Sequence, residues 1–234
     1  MSVNPSATHS FTIGANPIYY LYPMPLYKEW NIGDHGLAAI WKVEEPESFF
    51  KEQTGIEIDL KNEKRRIEHL AGRFLLRHLE EDFPLWNIGK DEHDKPRIDD
   101  NKFFFSSSHS WPYIAVVIDP YSEAGIDIQT WHPNIQRIQH KFLSPGEQQM
   151  FKNDPKLITL AWCAKEAAYK WNGKRGVDFI EHLPIEYFNN KPDNYDITIY
   201  FNLSKIPQMI SIESIIDADF ACSYVLNAQN WAIY

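Results

Sequence analysis

Leu160-Ala161-Trp162-Cys163-Ala164-Lys165-Glu166-Ala167-Ala168-Tyr169-Lys170-Trp171 contains neither Pro nor Gly, is rich in Ala, and is followed by Gly173. That composition predicts a helix that stops at the glycine. At about 100° per residue the stretch divides into two unlike faces. Leu160, Ala164, Ala167, Ala168 and Trp171 form a mostly small, apolar face suited to close packing. Trp162, Lys165, Glu166, Tyr169 and Lys170 form the other, with two cations, a carboxylate and two aromatics. In its simplest reading this second face is solvated and laced by a Glu166–Lys170 pair worth about 0.2–0.5 kcal/mol. A second carboxylate upstream gives it another meaning.

That carboxylate is Asp127, in Gly125-Ile126-Asp127-Ile128-Gln129. The alternation predicts a strand with Asp127 and Gln129 on one face. An acid flanked by Ile on an inner strand is costly unless it is paired or binds a cation. If the strand runs beside the helix, Asp127 and Glu166 share one ion. Two hard oxygens completed by water suit Mg²⁺ working on substrate phosphates. Lys165 and Lys170 flank Glu166 and would meet the same phosphates.

Outward from these two stretches, residues 61–80 carry the longest helical pattern, with Ile67, Leu70, Ala71, Phe74 and Leu75 on one stripe. Arg66, Arg73 and Arg77 lie off its centre, either as solvated charge or as anion contacts. Strands are expected over residues 17–22, 36–43, 103–107, 113–119 and 124–129, and again over 196–201, 209–214 and 220–226. A short helix is expected over 46–53, and a loop over 89–100. A break is expected at Ser108-His109-Ser110. Ser144-Pro145-Gly146-Glu147 reads as a capping box that opens another helix. The order predicts an α+β fold in which two similar halves, each a small sheet packed on a long helix, are related by a pseudo-twofold arrangement. The expected division is 1–118 and 119–234, with the active site at the interface.

The chain has 234 residues, 44% hydrophobic and 24% charged, as expected of a globular protein with a real core. No apolar run approaches ~20 residues, and the N-terminus lacks a basic start and apolar core, so no membrane association and a cytoplasmic location are expected. A net charge of −9 argues against general nucleic-acid affinity. Local basic patches exist all the same. One gathers Lys165, Lys170, Lys174 and Arg175 against Glu166; the other gathers Lys61, Lys64, Arg65, Arg66, Arg73 and Arg77 against Glu63 and Glu68. They suit a phosphate-rich small ligand. Cys163 and Cys222 have no metal-site spacing, and the nine histidines show no HExxH pattern.

Gly125-Ile-Asp-Ile, followed by Trp162-x-x-Lys165-Glu166-x-x-x-Lys170, resembles the 4′-phosphopantetheinyl transferases, specifically the single-chain class typified by the activator of surfactin synthetase. Phe105-Ser-Ser-Ser-His109-Ser110, Lys95-Pro96, Gly72-Arg73 and Phe142-Leu-Ser-x-x-Glu147 extend the resemblance in order, over about Arg65 to Lys174. The resemblance implies an enzyme that moves the 4′-phosphopantetheine group of coenzyme A onto a serine of an apo acyl or peptidyl carrier protein. It implies Mg²⁺ dependence and release of adenosine 3′,5′-bisphosphate, and an internally duplicated enzyme of this kind could act as a monomer. Asp127 and Glu166 would hold the metal, with Gln129 reaching it through a water. Glu166, or a water on the metal, is the candidate base, and Lys170 would offset charge on the leaving group. Lys165 would contact phosphates, Ser108 and His109 the nucleotide end, Lys95-Pro96 the adenine and Arg73 the 3′-phosphate. The sequence departs from that pattern in having Gln129 for a Glu and Asp94 for the Gly before Lys95-Pro96. Gln129 favours an alternative, a catalytically inactive coenzyme A or carrier-protein binding homologue. A Ser–His hydrolase fits poorly, because neighbours on a strand point oppositely and no Gly-x-Ser-x-Gly elbow is present.

Overall fold

A computed structural model describes residues 26–98 and 102–230. The strand expected over residues 17–22 lies outside the described residues. Two antiparallel sheets lie face to face, and each carries a long helix on its outer side. The first sheet is built from β1 (Leu26–Ile32), β2 (Gly36–Lys42), β5 (Phe104–Ser110) and β6 (Tyr113–Asp119), in the order β1-β2-β6-β5. The second is built from β7 (Ile126–Thr130), β8 (Ile185–Asn190), β9 (Tyr195–Phe201), β10 (Gln208–Ile216) and β11 (Phe220–Asn230), in the order β7-β11-β10-β9-β8. A small hairpin, β3 (Ile88–Lys90) with β4 (Pro96–Ile98), stands apart.

The layering explains the sequence pattern. In β6, Tyr113, Ala115 and Val117 face the second sheet, where they meet Ile126, Ile128, Phe220 and Cys222. Ile114, Val116 and Ile118 face α2 (Glu63–Leu79) and pack on Leu70, Phe74 and Leu75. With both faces covered, the strand reads as an unbroken apolar run. The second sheet packs Ile197, Ile210, Ile212 and Ala221 against α5 (Pro155–Asn172). The fold is therefore α+β, as expected. The helices also include α1 (Glu47–Thr54), α3 (Ile135–Ile138) and α4 (Pro145–Met150).

Several boundaries follow from local chemistry. Asn62 caps α2 by accepting from Arg65 N, and the Ser144–Glu147 capping box of α4 is fully formed. Helix α5 begins earlier than the alanine-rich stretch: Asp154 accepts from Lys156 N and Leu157 N, and Pro155 occupies the first turn. Gly173, at φ 71°, ends it. The break expected at Ser108-His109-Ser110 does not occur in strand β5. The strand runs through Ser110, and the turn falls at Trp111-Pro112. The serines stay in the strand because their hydroxyls have partners across the sheet seam.

Candidate active site at the seam between the sheets

Strands β5 and β7 are the edges at which the two sheets meet. Their backbones do not pair. A row of serines at alternate positions of β5 joins them instead, a consequence of the two-residue period of a strand. Ser106 Oγ accepts from Ile126 N at 3.3 Å, and Ser110 Oγ accepts from Thr130 N at 2.9 Å. Ser108 Oγ donates to Asp127 Oδ1 at 2.7 Å. Side-chain hydroxyls thus satisfy the Ile126 and Thr130 amides on the edge of β7.

On the other side of β7, Gly125 lets the strand lie flush against α5; a Cβ there would stand 2.1 Å from the Ala167 carbonyl oxygen. This approach brings Asp127 to Lys170, whose Nζ donates to Asp127 Oδ1 at 2.7 Å and to the Ile126 carbonyl at 3.1 Å. Glu166 lies one turn earlier on α5. Its carboxyl is pushed up to about 7, first by burial and then by the neighbouring Asp127 charge, with Lys170 opposing the shift. Two repelling carboxylates, with one ammonium bonded to Asp127, form a set that a divalent cation fits. No cluster of three His, Cys, Asp or Glu side chains occurs among the described residues, so water and substrate oxygens would complete the coordination. Cys163, one turn before Glu166, is fully buried, and burial raises its thiol well above the usual range. It is a packed thiol.

A cleft of about 390 Å³ opens beside this cluster, lined in part by Lys95, Pro96, Phe105, Tyr169, Lys170 and Arg175. Lys95 and Pro96 belong to the hairpin that forms one wall. Lys95 Nζ donates to Glu123 Oε2 and to the Trp171 carbonyl, both at 2.7 Å, while Arg97 holds the other oxygen of Glu123. Burial lowers the Lys95 pKa, and Glu123 opposes that. The lysine thus fastens the hairpin to the end of α5. Asp94 adopts the left-handed conformation at φ 66° that a glycine would favour there, so its loop keeps its turn despite the side chain.

The remaining expected site residues lie elsewhere. Lys165 is fully buried, whereas the helical wheel puts it on an open face with Glu166 and Lys170. Its ammonium donates to Glu147 Oε1 at 2.6 Å and to the Phe142 and Phe179 carbonyls at 2.8 Å. Helix α4 and the segment that follows α5 cover this side of the helix, and Glu147 supplies the counter-charge. The wheel cannot register a second covering layer. Trp162 packs between Phe142 and Phe179. His109 points away from Ser108, with Nδ1 3.4 Å from Glu68 on α2. Arg73 lies on that helix, one turn from His69, whose pKa is lowered by burial and then by Arg73 and His109. Gln129 Nε2 donates to Ser110 Oγ at 3.2 Å and to the Thr130 carbonyl at 3.1 Å, which directs the amide along the seam. Glu123, Arg97 and Ser106 were not expected in the site, while Arg175 was read only as part of a basic patch and Ser110 only as part of a motif. The serines' spacing of two is the signal that could have placed Ser106.

A larger surface depression, about 490 Å³, is bordered by Glu47, Lys51 and Arg66. Both cations there are already bound to Glu47. The chemistry gathers at the seam.

Residues 123–225 match the family model of the 4′-phosphopantetheinyl transferase superfamily. The match covers less than half of the chain. It runs from the acid that anchors Lys95 through β7 and α5 into β11, and so contains Asp127, Glu166 and Lys170. Arg73, Lys95, Pro96, Ser108 and His109 precede it. No curated protein matches the chain. Among the described residues, no helix is long and apolar enough to cross a membrane.

Proposed function

We propose that this protein transfers the 4′-phosphopantetheine group of coenzyme A to a serine hydroxyl of an apo acyl or peptidyl carrier protein. The observation that carries the reading is the Asp127–Lys170–Glu166 cluster, which lies inside the segment matched to the transferase superfamily and beside an open cleft. We further infer the single-chain class, with halves 1–118 and 119–234 as pseudo-twofold copies. The matching roles of α2 and α5, each covering one sheet, support this.

The reaction forms a bond between the serine oxygen and the phosphorus that bears pantetheine. It breaks that phosphorus's bond to the bridging oxygen, and adenosine 3′,5′-bisphosphate leaves. Asp127 and Glu166 would hold Mg²⁺, with Gln129 reaching it through water; the ion would offset charge on the pyrophosphate. Lys170, already held in place by Asp127, sits where it can bond the leaving oxygen. Glu166 is the group we assign to receive the serine proton. Lys95 and Pro96 wall the cleft on the side proposed for adenine. Ser108 contributes by orienting Asp127, while His109 would face the nucleotide end and Arg73 the 3′-phosphate. Lys165 serves by fixing α5 through Glu147.

Incubation with coenzyme A, Mg²⁺ and an apo carrier protein, read by intact mass, tests the proposal. A carrier heavier by one phosphopantetheinyl group supports it. Coenzyme A binding with no mass gain on any apo carrier would favour the inactive binding homologue, the reading that Gln129 suggests.

A further inference from the structure

Three cations line the cleft, and each has a carboxylate partner. Lys95 and Lys170 are held by Glu123 and Asp127, in pairs whose more buried side chains are 6% and 9% exposed. Arg175 is held by Asp94, and this pair is 65% and 58% exposed. The first two pairs are built into the walls. The third spans the mouth between the hairpin loop and the segment after α5, with both ends in water.

We propose that Asp94 is a gate residue, which holds Arg175 across the mouth of the cleft and yields it to the phosphates of an entering polyanion. The two ends differ in freedom. The Asp94 turn is pinned: Asp91 Oδ1 accepts from His93 N at 2.8 Å and from Lys95 N at 2.9 Å, and Asp94 N donates to the Asp91 carbonyl at 3.0 Å. Arg175 extends from a two-residue span between Gly173 and Gly176, both at positive φ. Arg175 is therefore the end that moves. An exposed ion pair holds weakly, whereas a guanidinium binds phosphate through paired, charge-assisted hydrogen bonds, so the phosphate wins. Asp94 stays behind, fixed at the mouth, with its charge turned toward an anion. It lowers affinity for every polyanion, and does so more at low ionic strength.

The inference depends on the transferase reading only for coenzyme A as one of two probes; the other is inorganic pyrophosphate. Calorimetry at low and high salt is run on wild type, Asp94→Asn, Asp94→Gly, Arg175→Ala and the double variant Asp94→Asn/Arg175→Ala. Both Asp94 replacements tolerate the left-handed backbone, so folding is preserved. The gate predicts that either one tightens pyrophosphate binding by about 3- to 10-fold at low salt, with the gain shrinking at high salt. It predicts that Arg175→Ala weakens binding, and that most of the Asp94 gain disappears in the double variant. Unchanged or weaker pyrophosphate binding in both Asp94 variants overturns the gate, as does a full gain without Arg175. If pyrophosphate responds as predicted and coenzyme A binds to none of the proteins, the gate stands and the transferase reading falls.

Discussion

Gly125 lies against α5 so closely that a Cβ would stand 2.1 Å from the Ala167 carbonyl oxygen and 2.9 Å from Trp171 Cβ. Two residues later the same strand presents Asp127 to Lys170. The absence of a side chain at one position therefore sets the distance between the two elements that carry the site. Gly125→Ala forces backbone apart from backbone and is expected to cost about 1–3 kcal/mol. Urea unfolding measures it; an unchanged midpoint would mean that the strand and helix are not held by this contact.

Lys165 and Glu147 form a buried pair at 2.6 Å. Glu147 also accepts from Ser144 N at 2.6 Å and from Ile185 N at 2.9 Å, so the pair ties α5 to α4 and to the start of β8. Removing one partner leaves the other charge uncompensated in the interior. Lys165→Ala is expected to destabilise the fold by about 3–5 kcal/mol. A Lys165→Ala protein of normal stability but weakened coenzyme A binding would return this lysine to the ligand.

The Glu166 carboxyl rises from 4.5 to about 7 on folding. A carboxyl raised in this way favours the folded state while protonated. The advantage is complete below pH 4.5 and is lost as pH climbs through about 7. Without divalent ions, wild type should therefore lose stability between pH 5 and 8 relative to Glu166→Gln, whose profile lacks this component. Added Mg²⁺ should flatten the wild-type slope and leave the variant's unchanged, because metal binding favours the ionised carboxylate. Thermal melts across this range give the answer, and parallel profiles would rule out a titrating Glu166.

Gln129 already spends its amide nitrogen on Ser110 and the Thr130 carbonyl. Gln129→Ala should therefore reduce transfer less than Asp127→Ala does, and Gln129→Glu should lower the Mg²⁺ concentration needed for half-maximal rate. A Mg²⁺ titration in which Gln129→Ala is as inactive as Asp127→Ala would make the amide a direct participant.

Much of this arrangement was legible in the sequence because it rests on local rules. The apolar stripe of α2, the Ser144 capping box and the Gly173 stop each follow from neighbours along the chain. Asp127 stood out because an acid between isoleucines needs a partner. What escaped was set by tertiary layers. Lys165 reads as solvent-facing until α4 and Phe179 cover it. Ser108 and Ser110 read as a strand break until β7 supplies partners. Lys95 reads as a loop residue until the hairpin carries it to Glu123.

The central claim is that the Asp127–Glu166–Lys170 cluster performs the transfer, and intact mass of the carrier protein tests it most directly. With coenzyme A and saturating Mg²⁺, wild type should convert an apo carrier to the phosphopantetheinylated form. Asp127→Ala and Glu166→Ala, checked to be folded, should leave it unmodified, and Lys170→Ala should slow conversion by more than about ten-fold, on the order of 2 kcal/mol. Near-normal conversion by a folded Asp127→Ala or Glu166→Ala protein would contradict the account.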